Sequence, residues 1–74
     1  MTLVAVFAKN LQQVRSVRAV SQQTLASKTG LSISYISMLE CGRRSPSLET
    51  VVAIARVLRV PPPSLLQPPR GDHA

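Results

Sequence analysis

Residues 22–40, Gln-Gln-Thr-Leu-Ala-Ser-Lys-Thr-Gly-Leu-Ser-Ile-Ser-Tyr-Ile-Ser-Met-Leu-Glu, leave this chain little choice of local geometry. They read as two short helices meeting at a tight turn. Ala26 lies four residues before Gly30, and Ile36 six after it. Ala26 is small where the helices cross closely. Gly30 tolerates the φ > 0 backbone that ends the first of them. Leu31 and Ile36 point inward and hold the crossing angle, which leaves the second helix with a polar, hydroxyl-bearing side turned outward.

The flanking segments follow the helical period. Val4, Phe7, Leu11, Val14 and Val17 recur at three- and four-residue spacings, which predicts an amphipathic helix over about 4–18. Ser21 caps a second helix over about 22–29, ended by Gly30, and Ser32 a third over about 33–41, ended by Gly42. Arg43-Arg44-Ser45-Pro46 is a loop. Ser47 caps a fourth helix over about 48–58, with Glu49 in the first turn, where the helix dipole favours an anion. Pro61-Pro62-Pro63 predicts extended backbone before a short last turn at Ser64-Leu65-Leu66-Gln67. No strand alternation or internal repeat stands out. The expectation is an all-α, compact domain of five helices over 1–67, with a disordered C-terminal tail over 68–74.

Nine Lys/Arg against three Asp/Glu give a formal net charge of +6, which points to a polyanion: nucleic acid, or less often an anionic membrane surface. The plainer alternative is charge kept for solubility. Cys41 is the only cysteine, so no intramolecular disulfide forms. It is expected to be a small helix-end residue rather than a redox switch. No Cys/His/carboxylate cluster suggests a metal, and no cofactor or small-molecule ligand is expected. The apolar start is too brief for a signal peptide or a membrane span, so a cytoplasmic protein is expected. With His73 in a loose tail and no nucleophile–base pair, an enzyme is not expected.

Several stretches together resemble the phage-repressor-like (Cro/Xre-type) helix-turn-helix transcriptional regulators. They are Val14-Arg15-Ser16-Val17-Arg18, Ser21-Gln22, Leu25-Ala26, Gly30-Leu31-Ser32, Ser34-Tyr35-Ile36-Ser37, Leu39-Glu40 and Gly42. Pro46-Ser47-Leu48-Glu49-Thr50 and Ala55-Arg56-Val57-Leu58 follow. The resemblance covers roughly residues 7–66. It implies a repressor-like DNA-binding domain whose second and third helices form the helix-turn-helix. It also implies a sequence-specific regulator that binds double-stranded DNA as a homodimer on a palindromic operator and is nucleoid-associated when bound. Two departures concern the base-reading face: Ile33 and Met38 stand where family members often carry Arg or Gln. A third lies before the second helix, where the usual Gly-Leu is Ala19-Val20.

Carried over by position, the resemblance turns Ser32, Ile33, Ser34, Ser37 and Met38 toward the bases. Serine hydroxyls read base edges loosely, and Ile33 and Met38 could pack on thymine methyls. Core packing is the competing role for Ile33 and Met38, as capping is for Ser32. Gln22 opens the second helix, where its backbone N–H and side-chain amide suit a phosphate, unless it is simply solvated. The Tyr35 hydroxyl either reaches a phosphate or belongs to a half-buried ring without a ligand. Arg43 and Arg44 read as phosphate clamps or as a solvated basic loop, with Lys28 and Arg18 as secondary backbone contacts. The resemblance also implies a structural ion pair between Arg15 and Glu40, linking the first and third helices.

Surplus apolar residues late in the chain, Val57, Val60, Leu65 and Leu66, are the expected dimer interface, with Leu3, Val4 and Val6 as the alternative. An antitoxin-like module that binds a protein first and DNA second is the rival reading of the whole chain.

Overall fold

Each helix begins at a hydroxyl and is closed by a left-handed residue, and these eight positions set the path of the chain. The computed structural model describes residues 2–68, so the part of the expected tail over 69–74, His73 included, lies outside the described residues. Thr2, Ser21, Ser32 and Ser47 accept hydrogen bonds from the N–H groups of Ala5, Thr24, Tyr35 and Thr50 at 3.0–3.1 Å. These caps open α1 (Leu3–Val17), α2 (Gln22–Thr29), α3 (Ile33–Glu40) and α4 (Leu48–Leu58). Each satisfies an N–H that the first turn leaves without a partner.

The closures are equally regular. Ala19, Gly30, Gly42 and Arg59 have φ of +57°, +76°, +74° and +61°. The N–H that follows each of them reaches back into the helix: Val20 to the Arg15 carbonyl, Leu31 to Ala26, Arg43 to Met38 and Val60 to Ala55, at 3.0–3.1 Å. A Cβ on either glycine would meet nothing within 4 Å, so backbone conformation rather than crowding selects glycine there.

The core is aliphatic around one ring. Phe7 and Leu11 of α1, Leu25 and Ala26 of α2, Ile36 and Leu39 of α3, Val51, Ile54, Ala55 and Leu58 of α4, and Leu65 form one buried cluster. Ala26 and Ile36 both lie in it, and the small Ala26 side chain suits the close approach of α2 and α3 that the turn requires.

Two expectations change. Instead of five helices, the described residues form four α-helices and a short 3-10 turn, Pro62–Leu65. Pro61 is extended, but Pro62 opens the turn, where a fixed φ and a missing N–H cost nothing. Second, Leu65 is fully buried in the core and cannot line a dimer interface. The turn folds back over α1 because the Asn10 amide, buried on that helix, donates to the carbonyls of Leu65 at 3.0 Å and Gln67 at 2.6 Å, with a longer contact to Ser64 at 3.4 Å. Val6, in the alternative interface, is buried too.

Candidate nucleic-acid interface

The first turn of α3 stands out of the molecule. Ser32, Ile33 and Ser34 are exposed, Ile33 at 46%, while Ser37 and Met38 are half-buried on the same helix. Ile36 and Leu39 fill the inward side. The helical period thus separates a core stripe from an outward face of three hydroxyls, one branched aliphatic chain and one thioether. The Ser32 hydroxyl accepts the Tyr35 N–H at 3.0 Å and still has its own proton to donate.

Basic groups border this face. Arg43 and Arg44 are exposed just beyond the closure of α3. The Arg44 guanidinium lies over the half-buried Tyr35 ring, 5.6 Å from its centroid, which limits how far that arginine can swing. Lys28 is exposed on α2. Arg18 is exposed near the far end of α4, with a 3.4 Å contact from its guanidinium to the Arg59 carbonyl.

The nearby acid is withdrawn from the surface. The Glu40 carboxylate receives two guanidinium N–H groups of Arg15, at 2.5 and 3.1 Å, and the Gln22 side-chain amide at 3.0 Å. Side-chain exposure is 22% for Arg15 and 8% for Glu40. Arg15 also donates to the Val20 carbonyl at 3.0 Å, and Gln12 donates to the Glu40 carbonyl at 2.6 Å. The hydrogen bond to Glu40, aided by its charge and opposed by desolvation, raises the Arg15 pKa above its ordinary value. The guanidinium thus sets a positive charge directly against the carboxylate.

This cluster ties α1, the start of α2 and the end of α3 into one unit. It gives one N–H of the Gln22 amide an internal partner, and the second N–H and the backbone N–H groups there remain for an anion. Sequence reasoning missed Gln12 and Asn10. Gln12 lies three residues before Arg15, on the same edge of α1, and that spacing was the available signal. Asn10 lies three residues after Phe7 and four before Val14, and a polar residue on that apolar side was its signal.

Of the expected interface residues, Val57, Val60 and Leu66 are half-buried against the core, and Leu3 is exposed. Among the described residues no group of three His, Cys, Asp or Glu could hold a metal, and no described helix is long and apolar enough to cross a membrane.

Known proteins are similar to this chain in sequence and fold. The sequence profile of a family described as helix-turn-helix matches residues 14–65. The control protein C.SmaI of Serratia marcescens is 32% identical over 66 residues, covering 89% of this chain and 79% of that protein. The crystal structure of a hypothetical transcription factor, NHTF, from Neisseria superposes with a TM-score of 0.89 at 33% identity, over 97% of this chain and 83% of the other. That of the restriction-modification controller protein C.AhdI from Aeromonas hydrophila gives 0.80 at 34% identity, over 84% and 94%.

Proposed function

The chain belongs to the helix-turn-helix family of transcriptional regulators, and on that premise we propose that it is a sequence-specific, double-stranded-DNA-binding regulator acting as a homodimer on a palindromic operator. In this reading α3 enters the major groove by its first turn. Ser32, Ser34 and Ser37 meet base edges, and Ile33 and Met38 contact thymine methyls. Arg43, Arg44 and the Tyr35 hydroxyl take phosphates, as do the backbone N–H groups at Gln22. Such an interface favours AT-containing half-sites over guanine runs, because no arginine or lysine stands on the base-reading turn.

One observation carries the reading. An exposed helix start of small polar and apolar side chains lies beside two exposed arginines, while the neighbouring carboxylate is buried and paired. A duplex needs that combination of a thin projecting helix, positive flanks and no free acid. The likeness to two proteins named as control and controller proteins supports a regulator of that kind.

Selection from random duplex DNA, followed by fluorescence anisotropy at several salt concentrations, tests it. The expected result is enrichment of a two-fold-symmetric sequence whose half-site centres lie about 10 base pairs apart, with affinity that falls steeply with salt. Recovery of no preferred sequence, or binding indifferent to salt, overturns it.

A further inference from the structure

The outer side of α4 is apolar where a solvent-facing helix is ordinarily polar. Leu48 is 77% exposed and Val52 is 41% exposed, one turn apart on that side. Leu3, 59% exposed, adjoins Leu48 across an apolar cleft that Phe7 and Pro46 also line. Two charges flank the stripe. Glu49 and Arg56, both exposed, are seven residues apart, so they lie on one side of α4 separated by two turns, about 10 Å. Neither has an ion-pair partner among the described residues. Glu49 is also the one exposed acid among the described residues of a chain with net charge +6.

Opposite charges set symmetrically about Val52–Ala53 form a self-complementary pattern under two-fold rotation. A second α4 laid antiparallel across the first brings each Glu49 to the other copy's Arg56. Leu48 and Val52 then face apolar surface, and each helix N-terminus lies toward the other's C-terminus, which the dipoles favour. We propose that the occupant of this face is a second copy of the chain, docked antiparallel through Leu48, Val52, Glu49 and Arg56. This deepens the dimeric-regulator reading by moving the interface from Val57, Val60 and Leu66 to the outer side of α4.

Sedimentation equilibrium of the full chain at low salt, without DNA, tests the surface independently of DNA reading. Glu49→Arg alone and Arg56→Glu alone are each expected to weaken dimerisation by at least about tenfold, because each sets like charges opposite one another. An equimolar mixture of the two variants restores the dimer, since every position 49 then faces an opposite charge at position 56. Circular-dichroism melts show whether each variant is folded, and Glu49→Gln gives a gentler variant expected to weaken the dimer less. A wild-type chain that stays monomeric overturns the surface. So does a dimer that withstands both charge reversals, a mixture that fails to recover, or a dimer lost on Val60→Asp but kept in both α4 variants. Half-site DNA binding by the α4 variants separates the two readings: if it persists while the surface fails, only the surface is lost.

Discussion

Ala19 occupies a backbone position that suits glycine. At φ +57° it closes α1, and Arg59 does the same for α4 at +61°. A left-handed conformation costs a residue with a Cβ roughly 1–2 kcal/mol, part of which glycine returns to the unfolded chain as entropy. Ala19→Gly is therefore expected to stabilise the domain by about 0.5–1 kcal/mol, a rise of a few degrees in thermal midpoint by calorimetry. Arg15→Ala moves stability the other way. It leaves the Glu40 carboxylate with the Gln22 amide as its side-chain donor, and the Val20 carbonyl without its guanidinium partner. The cost is about 2–3 kcal/mol, read by urea denaturation, because a largely buried carboxylate loses its counter-charge. An unchanged midpoint would show that the pair contributes nothing. The variant should lose stability before it loses half-site affinity, since Arg15 sits behind α3 rather than on its outward face.

The four α-helices were legible in the sequence because their determinants are local. A hydroxyl before the last three, a turn residue after the second and third, and a 3.6-residue stripe fix an element wherever it sits; the Thr2 cap of α1 emerged only in the structure. The C-terminal turn was legible only in outline, since triple proline reads as extended and nothing local reveals a long-range partner. That partner is the Asn10 amide on α1, whose donations to the carbonyls of Leu65 and Gln67 draw the turn back across the chain. The same contacts put Leu65 in the core, where its spacing alone could as well have served an interface. The outward face of α3 followed from periodicity. The engagement of Gln22 by Glu40 did not, because it depends on how α2 and α3 cross. Asn10→Leu preserves size and removes the donor, leaving the buried Leu65 carbonyl and the part-buried Gln67 carbonyl without it. It should cost about 1–3 kcal/mol. Native-state hydrogen exchange should speed up first at the Ser64 and Leu66 amides, which close the turn onto Pro61 and Pro63. Uniform acceleration across all helices would mean that the turn is not a separate cooperative unit. On α3, Ser34→Ala or Met38→Ala should change which operator wins in selection while leaving non-specific affinity nearly constant.

Charge at the scale of the whole molecule separates attraction to DNA from discrimination among sequences. With net charge +6 and its recognition-side acid neutralised internally, the chain should be drawn to any duplex at low salt. Replacing Arg43 and Arg44 together by alanine should weaken all sequences alike and lower the slope of log affinity against log salt by about 2 per subunit. Discrimination must then come from the few side chains on the α3 turn, and a face built of serines, Ile33 and Met38 supplies little per half-site. In the proposed dimer, two copies held at fixed geometry would multiply that small preference, since the second half-site would bind at the high effective concentration set by the first. The argument carries a geometric consequence. Inserting about 5 base pairs between half-sites turns them to opposite faces of the duplex, and a rigid dimer cannot follow. Anisotropy on such an operator should give the affinity of an isolated half-site. Undiminished affinity would mean either that each subunit reads DNA alone or that the connection between them is loose.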